Sequence, residues 1–147
     1  CDKNFGLYRE RAGALLVQAP DAARSSSLMT NLCALARANW SMPPDHGAAV
    51  VRTILEDSAL RTVWRAELAE MQARIAGVRA ALAATSPQLS GLTAGRGMFA
   101  NLAVSPEQVQ RLRTEHAVYM AGSGRINLAG LSEETIQTFA DALQAVS

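Results

Sequence analysis

Lys3-Asn4-Phe5-Gly6-Leu7-Tyr8-Arg9-Glu10-Arg11-Ala12-Gly13 is the stretch on which the reading of this sequence turns. Only Cys1 and Asp2 precede it, so a lysine, two aromatic rings, two glycines and two arginines arrive with little before them to fold against. By residue type alone Lys3 is a solvated surface group and Arg11 a second one. The stretch runs straight into Ala14-Leu15-Leu16-Val17-Gln18, an apolar run between Gly13 and Pro20 that predicts a short buried strand.

Beyond Pro20 the period changes. Asp21 is placed to cap a helix carrying Leu28, Leu32, Leu35 and Ala36, which runs to about Asn39 and is stopped by Pro43-Pro44. A second helix, roughly Gly47 to Glu56, carries Val50, Val51, Ile54 and Leu55. From Ser58, the residues Leu60, Trp64, Leu68, Met71, Ile75, Val78 and Leu82 recur at steps of three or four, one continuous stripe expected to be core. A helix of that length extends about 40 Å at the α-helical rise, which suits a connector between two bodies. Pro87, Ser90, Gly91, Gly95 and Gly97 mark a loop, and a second unit is expected to begin within or just after the long helix. Met98 to Val104 reads as a strand. Ser105-Pro106-Glu107-Gln108 is a start signal for a helix to about Glu115. Val118 to Met120 and Arg125 to Leu128 read as short strands split by Gly122-Ser123-Gly124, and Ser132 caps a last helix with Ile136, Phe139, Leu143 and Val146 facing inward. The order gives an α/β or α+β chain without internal repeats.

Composition narrows the function classes. With 49% hydrophobic and 18% charged residues, the 147 residues suit one ordinary soluble domain or two small pieces of a larger protein. A net charge of +1 from 14 basic and 13 acidic residues provides no broad cationic face, so neither nucleic acid nor an anionic membrane is an implied partner. Cys1 and Cys33 lack CxxC spacing, which points to reduced thiols, a cytoplasmic setting and no metal site. Nothing in these residues resembles a signal peptide, and no apolar run approaches the length needed to span a bilayer. His46 and His116 sit in no triad or ligand pattern, the glycines around Ser123 do not form a GxSxG elbow, and Gly95-Arg96-Gly97 is too short for a dinucleotide fingerprint.

The stretch Lys3 to Tyr8, followed by Glu10-Arg11 and Gly13, resembles the cofactor-lysine segment of the class I aminotransferases that act on aspartate and aromatic amino acids, which are pyridoxal-phosphate enzymes of fold type I. Further blocks continue the resemblance in order: Arg37-Ala38-Asn39-Trp40-Ser41 with Pro43-Pro44 and His46-Gly47-Ala48, then Gly97-Met98-Phe99, then Ser123-Gly124-Arg125-Ile126-Asn127 with Ala129-Gly130. The resemblance implies that Lys3 joins the aldehyde of pyridoxal 5'-phosphate as an imine, is displaced by the substrate amine, and then carries a proton between the substrate α-carbon and the cofactor. Arg11 matches the arginine that binds the cofactor phosphate, and Arg125 the one that clamps the substrate α-carboxylate. Both are tasks for a planar, bidentate guanidinium. Arg37 matches the arginine that reaches from the partner subunit of a homodimer to the distal carboxylate of a dicarboxylic substrate. Tyr8 is given no role beyond support. Read without the other blocks, Arg125 is better taken as a turn residue and Arg37 as a cation at the negative end of a helix dipole.

In such enzymes the carboxylate on the pyridine nitrogen, the residue stacked on the ring, the phosphate loop and the partner tyrosine precede the lysine. The expectation is therefore the C-terminal part of a longer aminotransferase, α/β in class, with residues 1–70 ending the large cofactor domain, the long helix connecting, and residues 71–147 forming the small α+β domain. The implied substrates are amino acids and 2-oxo acids. Trp40 and Met42 give the distal site an apolar wall, which favours tyrosine or phenylalanine. The competing expectations are an aspartate aminotransferase proper and a non-catalytic dimerisation or binding module. Asp2 departs from the pattern, since a small neutral residue is usual there and a carboxylate favours the charged ammonium of its neighbour.

Overall fold

Asp21 starts the first helix as its sequence predicts: its side chain accepts a hydrogen bond from the Arg24 backbone N–H at 2.7 Å in the computed structural model, which describes residues 1–147. Helix α1 spans Ala22–Trp40, α2 His46–Glu56 and α3 Ser58–Ala84. A 3-10 segment covers Pro87–Ala94, strand β1 Phe99–Asn101, α4 Pro106–His116, β2 Arg125–Asn127, a short 3-10 turn Leu128–Gly130, and α5 Glu133–Ala145. The chain is mostly helical with one small sheet and separates into two compact units, Cys1–Ala66 and Glu67–Ser147.

The first unit is thinly packed. Of its residues only Gly47 is buried, while Val50, Val51, Ile54 and Trp64 are half-buried. The strand expected at Ala14–Gln18 is not formed: Leu15, Leu16 and Val17 are exposed, Leu16 at 93%. A strand is a ladder of shared hydrogen bonds. The only sheet pairs β1 with β2, leaving this run no neighbour with which to bond or bury.

The second unit holds the core. Leu82 of α3, Leu112 of α4 and Leu128 are fully buried, each contributing about 1.5–3 kcal/mol relative to exposure. Ile136, Phe139, Leu143 and Val146 all point inward as the period of α5 predicts. The stripe along α3 is corrected in part. Val78 and Leu82 are buried and Leu68 and Ile75 half-buried, but Leu60 and Met71 are exposed, because periodicity specifies a face and not what covers it.

α4 begins with a reciprocal capping box. The Ser105 hydroxyl accepts from the Gln108 N–H at 3.2 Å, and the Gln108 side chain accepts from the Ser105 N–H at 2.8 Å. The Gln108 amide also donates to the Val146 carbonyl at 3.0 Å, fixing α4 against the end of α5. Two other strand expectations change. Met98–Val104 contracts to the three residues of β1, and Val118–Met120 forms no strand. β1 and β2 are antiparallel, with Phe99 opposite Asn127 and Asn101 opposite Arg125.

Candidate functional site

The residues singled out in the sequence fall in both units. In the first, the turn around Lys3 is fastened from two directions. The Cys1 nitrogen donates to the Ala12 carbonyl at 2.7 Å, closing residues 1–12 into a loop. Trp64 of α3 then stacks on Phe5, with ring centroids 4.6 Å apart and planes 10° from parallel, while its indole N–H donates to the Asn4 carbonyl at 2.6 Å. One side chain thus grips both residues that follow Lys3, combining apolar area with a polar handle. A weaker pair ties the loop to α2, with His46 Nδ1 3.7 Å from a Glu10 carboxylate oxygen.

Within this loop two cations converge on one carboxylate. Arg11 Nη1 donates to Asp2 Oδ2 at 3.0 Å and to the Tyr8 carbonyl at 3.1 Å, and Lys3 Nζ lies 3.7 Å from the same Asp2 oxygen. Lys3 Nζ also sits 4.9 Å from the centroid of the Tyr8 ring, within cation–π range. Arg11 adopts φ 51°, a left-handed conformation uncommon outside glycine. The structure thus brings Lys3 and Arg11 together, with an anion between them. Arg37 stands in the last turn of α1, exposed, where a cation suits the negative helix end. Near it, Trp40 is 59% and Met42 82% exposed.

Arg125 belongs to the second unit. It is exposed on β2, its guanidinium carbon 5.2 Å from the centroid of the Phe99 ring on β1. Both border an open groove of about 760 Å³, together with Tyr119, Asn127, Thr138 and Phe139. Gly124 sets the approach to Arg125. It has φ +80°, its N–H donates to the Ala121 carbonyl at 2.9 Å, and its carbonyl accepts from the Leu102 N–H at 2.9 Å. A Cβ on Gly124 would collide with the Leu102 carbonyl oxygen, so only glycine fits this turn. The groove offers the Arg125 guanidinium beside an aromatic face, chemistry suited to a carboxylate attached to an apolar body.

Asp2 and Arg79 escaped the sequence reading as contributors to geometry. Asp2 is the shared partner of Lys3 and Arg11. Arg79 is buried beneath the loop that leads into β1. The only signal of the latter was an arginine between Val78 and Leu82 on the inward face of a helix that precedes a glycine-rich loop. No group of three or more His, Cys, Asp or Glu side chains is arranged to hold a metal ion, and no helix is long and apolar enough to cross a membrane.

The family model "Aminotransferase class I and II" matches residues 1–143. The chain is 53% identical over 135 residues to a tyrosine aminotransferase of Rhizobium meliloti (strain 1021), covering 89% of this chain and 35% of that protein. Other similar proteins carry the names aromatic-amino-acid aminotransferase and aspartate aminotransferase. Among solved structures, an aromatic amino acid aminotransferase with 3-indolepropionic acid superposes with a TM-score of 0.93 at 40% identity, covering all of this chain and 39% of that one. An aromatic-amino-acid aminotransferase from Burkholderia pseudomallei, covalently bound to pyridoxal phosphate, superposes with a TM-score of 0.86 at 36% identity, over 99% of this chain and 38% of that one. The chain thus spans between a third and two fifths of the length of the relatives it matches.

Proposed function

The chain belongs to the class I and II aminotransferases, and on that premise we propose that it is the C-terminal part of an enzyme that moves the amino group of tyrosine or phenylalanine onto 2-oxoglutarate. Residues 1–70 then end the large cofactor domain and residues 71–147 form the small domain. The enzyme acts as a cytoplasmic homodimer. The observation that carries this reading is the meeting of Lys3 and Arg11 at one carboxylate, in a loop fastened by Trp64.

The donor set fits pyridoxal 5'-phosphate. Arg11 offers a planar fork to phosphate oxygens, at a place where the Asp2 carboxylate now supplies oxygens of the same kind. Lys3, the single lysine of the chain, supplies an ε-amine, the group an aldehyde requires. Bound there, the cofactor supplies a ring that accepts the electron pair left when the substrate α-proton departs. The Lys3 Nζ takes and returns that proton, which requires it to be neutral for part of the cycle. Arg125 fixes the α-carboxylate, with the Phe99 ring beside its guanidinium.

Arg37 acts across the homodimer interface on the distal carboxylate of 2-oxoglutarate. The exposed apolar side chains of Trp40 and Met42 near it favour an aromatic ring in the same space. An aspartate aminotransferase is the second reading, favoured by the exposure of Arg37, which leaves its guanidinium open to a second carboxylate. Steady-state rates of the full-length protein with tyrosine, phenylalanine and aspartate against 2-oxoglutarate decide between them. The proposal expects the aromatic substrates to have the higher kcat/KM, and a strong preference for aspartate over both overturns it. The 147-residue chain alone is expected to be inactive or nearly so, and transamination by it at the rate of a full-length relative refutes its being only the C-terminal part of the catalytic unit.

A further inference from the structure

Arg79 is the one charged side chain in the buried set, at 5% exposure, and no carboxylate accompanies it. Its hydrogen bonds all end on backbone carbonyls: Nη1 donates to Leu92 at 3.0 Å, Nε to Gly97 at 3.2 Å, and Nη2 to Arg96 at 3.2 Å, Gly97 at 2.8 Å and Phe99 at 2.6 Å. A buried charge without a counter-ion is tolerated only where dipoles fully surround it, and here four carbonyls from one stretch of chain do so. The approach is close enough that a Cβ on Gly95 would lie 2.6 Å from Nη1.

The last carbonyl in that set belongs to Phe99, the first residue of β1, whose ring lies against the guanidinium of Arg125. β1 and β2 have three residues each, and a two-stranded ribbon this short is not stable by itself. Its far end is held by the bond between the Leu102 N–H and the Gly124 carbonyl, and its near end by that between the Leu128 N–H and the Met98 carbonyl. The loop that Arg79 organises leads directly into the Met98 end.

We propose that Arg79 is a positioning residue for the carboxylate-binding groove: by gathering the carbonyls of Leu92 to Phe99 it fixes β1, and through the Phe99 ring it fixes the direction in which Arg125 presents its guanidinium. The proposal rests on the reading of Arg125 as the carboxylate clamp. Lysine cannot replace Arg79, because one ammonium presents three donors from a point and cannot reach the four carbonyls that the guanidinium's separate nitrogens span.

The test uses the full-length, cofactor-loaded protein and two probes, 3-phenylpropionate and its uncharged amide, with the ratio of their dissociation constants read from the cofactor absorbance. In the wild type the acid is expected to bind roughly ten- to a hundredfold more tightly than the amide. Arg79→Met and Arg79→Lys are expected to bring that ratio most of the way to the value given by Arg125→Gln, with cofactor content unchanged and KM raised more than kcat is lowered. A role confined to stability lowers Tm and leaves the ratio alone, and that result in a folded Arg79 variant overturns the proposal. If neither Arg79 variant folds, Gly95→Ala, which displaces the guanidinium while keeping its charge, is judged by the same ratio. A wild-type ratio in Arg125→Gln overturns the reading of the clamp and the proposal with it, whereas a wild-type ratio in the Arg79 and Gly95 variants alone overturns only the proposal.

Discussion

Replacing Gly124 by alanine is expected to damage both the fold of the second unit and the carboxylate site, and the size of the effect follows from two observations. The residue has φ +80°, where an L side chain pays about 1–2 kcal/mol for the left-handed backbone. Its new Cβ would also collide with the Leu102 carbonyl oxygen. That oxygen cannot simply retreat, because the N–H of the same residue is bonded to the Gly124 carbonyl at 2.9 Å, so the whole contact must move, at about 1–3 kcal/mol for overpacking of this kind. The reduced freedom of the unfolded alanine chain returns about 0.4–1 kcal/mol. The net expectation is a destabilisation of about 1–4.5 kcal/mol, read from urea unfolding of the full-length protein followed by circular dichroism. Because Arg125 is the next residue, affinity for 3-phenylpropionate should fall in the same variant. A Gly124→Ala protein within about 0.5 kcal/mol of wild type, the range of an inconsequential surface change, with its carboxylate affinity intact, would refute the argument that this turn admits only glycine and aims the arginine.

Two other outcomes follow from the same geometry. Trp64→Phe keeps a ring to stack on Phe5 but loses the indole bond to the Asn4 carbonyl, so it should weaken cofactor binding slightly, by about 0.5–1.5 kcal/mol, and Trp64→Ala should weaken it further; equal cofactor affinities for wild type and Trp64→Ala would show that Trp64 does not hold the lysine loop. On α4, the hydrogen bond from Arg111 holds the Glu115 carboxyl below its ordinary range, against the opposing effect of desolvation and with weaker help from the charges of Arg111 and His116. A carboxyl with a lower pKa in the folded state lends stability above its unfolded value and withdraws it as pH falls through the folded value, so Tm should decline on acidification through the carboxylate range, and less so in Glu115→Gln; identical pH profiles for the two proteins would remove Glu115 from the account.

What could be read beforehand was what is local. The caps at Asp21 and Ser105, the proline at the start of α4 and the inward face of α5 depend on side chains a few residues apart, and each appears as the sequence predicts. Strands are different. Ala14–Gln18 and Val118–Met120 have the composition of strands, but a strand exists only with a neighbour, and sequence spacing does not reveal whether one is at hand. The stripe on α3 has the period of a core, yet Leu60 and Met71 stay exposed for the same reason. Lys3, Arg11, Arg37 and Arg125 could be singled out as candidates because the blocks around them resemble a known arrangement. The Asp2 carboxylate as the point where Lys3 and Arg11 meet, and the four carbonyls around Arg79, could not, because backbone acceptors leave no mark in a sequence.

The claim on which the rest depends is that the ε-amine of Lys3 is the group that joins pyridoxal 5'-phosphate. Loading the full-length protein with the cofactor, reducing it with borohydride and mapping the product by peptide mass spectrometry tests this directly. The account predicts a phosphopyridoxyl group on Lys3, absent from Lys3→Ala; the group on another residue, or none on a protein shown to be folded, would contradict it.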